Sequence, residues 1–152
     1  MTNAERAELL PSAQVEAKDH RFLGLLSTAL RRIPEGTPPI RTVERLRLKA
    51  KARSGTLAGL TTYSPPEHGG WRETGYSPGE GHQTITFYSE KLDQLSDSGA
   101  LAVVAHELAH AWLNEHVHPE ESKSRERETD ELARKWGFAQ ELEALDEEAF
   151  SV

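Results

Sequence analysis

The chain has 152 residues, no cysteine and a formal net charge of −7, with 36% hydrophobic and 28% charged residues. The missing cysteines exclude disulfides, thiolate nucleophiles and cysteine metal ligands, and the apolar run LAVVA at 101–105 is far too short to span a bilayer. The length suits a single domain over 1–152, with 1–11 as a mobile lead-in and 138–152 as a C-terminal helix or tail. The first residues show no basic start followed by an apolar run, so no secretory signal is expected and a cytoplasmic location is.

Residues 12–33 are expected to form a first helix, with Val15, Phe22, Leu26, Ala29, Leu30 and Ile33 near helical spacing and Pro34 as the stop. RLRLKAKAR at 45–53 alternates with period two: Leu46, Leu48, Ala50 and Ala52 face one way, and Arg45, Arg47, Lys49, Lys51 and Arg53 the other. That predicts a strand with one buried and one wet face, and Ser54-Gly55 predicts a hairpin into a second strand near 56–63. Residues 1–60 carry 11 basic and 6 acidic side chains, against an acidic remainder. A solvated sheet face accounts for the basic strand, and nucleic acid is not an expected partner.

Residues 64–81 are rich in glycine and proline and read as a long loop, followed by a strand within 82–92 that carries Ile85 and Phe87 on one face. Ser96, Asp97 and Ser98 are N-cap candidates for a helix from about 98 to 116, whose stripe is Leu101, Val104, Leu108, Ala111, Trp112 and Glu115. His118 precedes Pro119 and is expected to be a hinge into a second helix that begins at Pro119 and ends at Gly137. A final helix carries Phe138, Leu142, Leu145 and Ala149.

The stretch HELAHAWLNEH, residues 106–116, holds the chemistry. His106 and His110 lie four apart on a helix, only about 40° apart around its axis, so their imidazoles share a face and can hold one zinc ion. Glu107, next to His106, is placed to act as general base on water. A catalytic zinc usually takes a third protein ligand, and His116 sits at the spacing that metzincins use for theirs. Metzincins end the helix at a glycine. Here that position is Leu113, for which a left-handed turn costs roughly 1–2 kcal/mol. If the helix continues, His116 points about 120° away from His110. The methionine turn beneath a metzincin site also has no counterpart, since the only methionine is Met1. His116 is therefore expected to stay off the metal.

With a hinge at His118, His110 and Glu126 lie eight residues to either side and face each other on an antiparallel hairpin. Glu126, Asp130, Ala133 and Gly137 form a stripe on the second helix. Glu126 is the expected third ligand, and Asp130 the acceptor for the outer N–H of a ligating histidine.

HELAH followed by SRERETDELA resembles the gluzincin pattern, HExxH plus a glutamate within E-x-x-x-D on the next helix. It is similar in particular to the zinc proteases that process prenylated CAAX proteins and to their heat-shock-associated relatives. Their second motif reads roughly R-E-x-x-A-D-x-x-A. Arg125, Glu126, Asp130 and Ala133 match it, and Thr129 replaces the alanine. The resemblance covers about 98–137. Those relatives are integral membrane proteins and this chain has no span, so only the catalytic core corresponds.

The resemblance implies an α+β, zincin-like fold: an N-terminal helix, a small and mainly antiparallel sheet, the HExxH helix and a second ligand helix. It implies a zinc endopeptidase acting on a peptide or protein substrate. The shortness of the apolar runs, not the resemblance, is why no membrane partner is expected. In such folds the strand before the metal helix borders the cleft, here expected at 82–92, and a Tyr, His or Arg stabilises the oxyanion. Tyr76, Tyr88, His68, His82 and Arg127 are eligible for that task. Two other readings stand beside it: a DNA-associated SprT-type protease, which lacks its downstream ligand motif here, and a non-catalytic zinc-binding module, which would not need Glu107.

Overall fold

The computed structural model describes residues 9–51, 58–64, 81–117 and 124–150. The expected first helix divides into two elements. Residues Gln14–Glu16 are a short strand, β1, and the helix proper, α1, runs from His20 to Arg32. Asp19 decides the division: its backbone is extended, and its carboxylate accepts the Phe22 N–H at 2.8 Å, which satisfies one orphan donor of the first turn. Val15 is drawn into the sheet opposite Leu46 of the next strand. At the other end, Ile33 is extended and Pro34 follows, as the sequence predicts.

Strand β2, Val43–Lys49, keeps the expected alternation only in part. Leu46 is fully buried and Arg45 and Lys49 are exposed, but Arg47 and Leu48 are both half-buried. Ala50, expected on the buried face, is exposed beyond the strand's end. The wet face is partly neutralised. Arg45 pairs with Glu16 of β1 at 3.0 Å, and Arg47 donates to the Thr86 hydroxyl at 3.0 Å. Strands β3, Gly59–Ser64, and β4, His82–Tyr88, complete a sheet of order β1-β2-β4-β3.

Two expectations about this sheet fail. The sheet is mixed rather than mainly antiparallel: β1 with β2 and β2 with β4 are parallel, and only β3 with β4 is antiparallel. Nor do 45–53 and 56–63 form a hairpin, because β4 lies between β2 and β3; the Ser54-Gly55 turn falls outside the described residues. Burial explains the order. β4 buries Gln83, Ile85 and Phe87 on one face and Thr86 on the other, so it suits the interior, whereas β3, with exposed Leu60, takes an edge.

After a helical turn at Ser89–Leu92 comes α2, Asp97–His116, capped by the Ser96 hydroxyl, which accepts the Gly99 N–H at 3.1 Å. The sequence suggests a single apolar stripe on this helix, but α2 is enclosed on most of its circumference by α1, the sheet and the two helices that follow. Ala100, Ala102, Ala105, Ala109 and Ala111 are all fully buried, and their small size admits neighbours on several sides. The helix runs through Leu113 to His116 with no sharp turn.

Helix α3 spans Arg125–Ala133, not a longer element starting at Pro119. Ser124 has extended backbone and its hydroxyl caps the Arg127 N–H, so a continuous helix from Pro119 is ruled out; the hinge residue His118 and Pro119 themselves lie outside the described residues. Gly137 adopts φ +102°, the left-handed break expected there, and helix α4 follows over Ala139–Phe150. Phe138 and Leu142 are buried against the common core. The architecture is α+β, and among the described residues no helix is long and apolar enough to cross a membrane.

Candidate functional site

Helix α2 places His106, Glu107 and His110 within five residues, with both imidazoles half-buried and Glu107 buried. His106 and Glu107, but not His110, border a cleft of about 480 Å³ whose other walls include Gly59, Val103, Leu95 and, from α4, Leu145. Helix α3 packs against α2 and brings Glu126 to this site: its Oε2 lies 3.6 Å from His106 Nε2.

The face of α3 turned to the core differs from the expected stripe of Glu126, Asp130, Ala133 and Gly137. Thr129 and Ala133 are fully buried, with Arg125 half-buried one turn before, so Glu126 stands at the edge of the contact and its side chain is 78% exposed. Burying Thr129 is cheap because its hydroxyl donates back to the Arg125 carbonyl at 2.6 Å; burying the Asp130 charge in its place would not be. Asp130 turns instead to Arg134, accepting from its Nε at 2.7 Å. The register also differs from the hinge-based expectation, since the close partner of Glu126 is His106 rather than His110.

Glu107 is the buried group of the site. Its Oε1 accepts the Thr61 hydroxyl from β3 at 2.7 Å, while Oε2 lies 4.0 Å from His106 Nε2. Burial pushes its carboxyl above the ordinary carboxylate range, opposed by the Thr61 hydrogen bond and by His106, with Glu126 adding to the rise. His110 shifts the other way. Burial lowers its proton affinity, Glu126 counters this, and His106 and the Arg125 guanidinium add to the lowering. A neutral imidazole with an available lone pair results, which is the form that binds metal.

The zinc expectation can be tested on this donor set. Two atoms held about 2.0–2.1 Å from a tetrahedral ion lie roughly 3.3–3.4 Å apart, close to the 3.6 Å between His106 and Glu126. The nitrogen and oxygen donors are of the right type, and His110 shares the His106 face of α2. As arranged, however, no group of three or more His, Asp or Glu among the described residues is close enough to hold a metal ion.

His116 belongs elsewhere. Its Nε2 lies 2.9 Å from the Pro39 carbonyl and 3.1 Å from Glu115, and its ring stacks on Trp112 with centroids 4.5 Å apart. Among the oxyanion candidates, His82 pairs with Glu44 at 2.7 Å and Arg127 with Glu131 at 3.1 Å, both on exposed surface. Tyr88 ends β4, and Tyr76 and His68 lie outside the described residues.

Two residues that the motifs do not reveal matter here. Thr61 holds Glu107, and Gly59 permits the approach: a Cβ at 59 would lie 2.9 Å from Glu107 Cγ and 3.3 Å from both Phe87 and Val103. Neither carries a signal in a single sequence, because a Thr in a β-branched run is ordinary strand composition. The strand bordering the site is also not the expected one. β4 lies inside the sheet, and β3 is the edge strand beside Glu107. No protein-family model, curated protein or solved structure matches this chain.

Proposed function

We infer that the chain is a zinc-dependent endopeptidase, with His106, His110 and Glu126 as the metal-holding residues and Glu107 as the general base. The observation that carries this reading is the approach of Glu126, from a separate helix, to 3.6 Å from His106 beside a buried glutamate at a cleft wall. When bound, zinc supplies Lewis acidity, polarising a carbonyl and making water acidic enough to react near neutral pH.

The chain's own residues do the rest. Glu107 has one oxygen engaged by Thr61, which leaves Oε2 to accept a proton from the attacking water and return it to the departing amide nitrogen. Its raised proton affinity suits a group that must both take and give a proton. His110, kept neutral by burial, has its lone pair free for the metal. Among the described residues nothing pairs with the outer edge of β3, and an extended peptide can add there as a further strand. Asp130, committed to Arg134, acts on the site only if that pair opens.

The deciding experiment measures zinc content and cleavage of an internally quenched peptide library for the wild type and Glu107→Gln. The reading requires about one zinc per chain in both, and hydrolysis by the wild type alone. Equal hydrolysis by the two proteins would remove Glu107 from the mechanism. Failure of both to take up zinc would end the reading.

A further inference from the structure

The main-chain directions of β3 follow from one hydrogen bond. The Tyr88 N–H donates to the Ala58 carbonyl at 2.9 Å, and the pairing register places these residues opposite each other. In an antiparallel ladder, hydrogen-bonded and non-hydrogen-bonded pairs alternate. Leu60 and Thr62 therefore turn their N–H and C=O groups to β4, while Gly59 and Thr61 turn theirs to the outer edge. Among the described residues, no strand pairs with that edge.

Thr61 is thus engaged in two directions. Its hydroxyl donates to Glu107 Oε1 at 2.7 Å in a buried setting. Its backbone groups lie on the outer edge of β3, where the N–H also acts on the Glu107 carboxylate and, among the described residues, no strand pairs. The contact is tight because Gly59, two residues earlier on the same face, leaves no Cβ to push against Glu107 Cγ. A buried carboxylate is held in place chiefly by the groups that donate to it, and for Glu107 these are the Thr61 hydroxyl and, more weakly, the Thr61 backbone N–H.

We propose that Thr61 is the positioning residue of the site: its hydroxyl aims the Glu107 carboxylate, and its main chain registers an extended peptide against it. The proposal rests on the peptidase reading for its substrate, but the Thr61–Glu107 contact itself does not. A strand added at Thr61 would hold its scissile bond at a fixed offset from the base. The same residue would then set both halves of the attack geometry.

Removing the hydroxyl without changing shape tests this. Zinc-loaded Thr61→Val should lose about 10- to 100-fold in kcat, the scale on which small misplacements of a catalytic group act, with KM and zinc content close to wild type. Thr61→Ser restores the donor and should recover most of the loss, an outcome that general loss of packing would not produce. A second readout uses the metal-free protein at one pH. The 13C resonance of the Glu107 side-chain carboxyl, assigned by its absence in Glu107→Gln, should move in Thr61→Val and stay in place in Thr61→Ser. Wild-type kcat in Thr61→Val, failure of Thr61→Ser to recover activity, or an unmoved Glu107 resonance in Thr61→Val would each overturn the proposal. If the wild type cleaves no peptide, the peptidase reading fails and the resonance still decides whether Thr61 holds Glu107.

Discussion

Helix α2 carries two buried glutamates, each next to a histidine, and they are treated in opposite ways. Glu115, near the C-terminal end, is fully engaged: it accepts the Thr42 N–H at 2.6 Å and the Thr42 hydroxyl at 2.8 Å, and lies 3.1 Å from His116. Gln83 extends the network, donating to the Thr42 hydroxyl at 2.8 Å and to the Ala111 carbonyl at 2.9 Å. Glu107, two turns earlier, is held by Thr61, through its hydroxyl and more weakly its backbone N–H, and lies beside His106 and within the field of Glu126. The same pair of residue types gives a staple at one end and, at the other, a carboxylate held by Thr61 at a cleft wall.

The largest expected effect separates the two histidine neighbours. Glu126→Ala should weaken zinc binding beyond the roughly 10- to 100-fold that loss of a mere supporting partner costs, while His116→Ala should leave the affinity almost unchanged. Competition with a chromogenic chelator measures both. Zinc loss in His116→Ala alone would reverse the roles assigned to the two ends.

The two glutamates should also differ in the sign of their effect on folding. Glu115→Ala leaves the buried Thr42 N–H without its acceptor and should destabilise the metal-free protein by about 2–3 kcal/mol. Glu107→Gln removes a charge that burial disfavours while keeping an acceptor for Thr61, so it should stabilise the metal-free protein near neutral pH. Urea denaturation of both variants reads the comparison directly, and a loss of stability in Glu107→Gln would show that its carboxylate is better solvated than its burial implies.

A finer effect lies in the pH dependence of the metal-free fold. Because the folded-state pKa of Glu107 is raised above its ordinary 4.5, the folded chain holds that proton longer than the unfolded chain does. Its contribution to stability is therefore present below pH 4.5 and is lost as pH rises through the folded-state value. His110 has the opposite sign: its pKa is lowered from 6.5, so its contribution is present above pH 6.5 and is lost as pH falls through the depressed value. The gain from Glu107→Gln should vanish below about pH 4.5, and His110→Gln should flatten the decline on the acid side of pH 6.5, both followed by thermal melts. The smallest effect is expected on the wet face of β2, where Arg47→Glu should leave peptide cleavage unchanged, and loss of cleavage only on a DNA-bound substrate would point to nucleic acid.

What the sequence by itself determined is what short-range geometry controls. The i,i+4 spacing of His106 and His110 places both on one helix face, the alternation of 45–49 makes a half-buried strand, and Gly137 marks a left-handed break. Leu113 continues the helix because nothing local favours stopping there, and that turns His116 to Pro39 and Glu115. Tertiary structure decided the remainder. Asp19 and the pairing of Val15 with Leu46 split the first helix, and burial on both faces put β4 inside the sheet and left β3 at the edge. The fully buried side chain of Thr129 rotated α3 so that Glu126 meets His106. The contact between Thr61 and Glu107 spans 46 residues, and no periodicity reaches that far. Such a partner is chosen by which strand can be spared for the edge and by how closely a glycine lets it approach the helix.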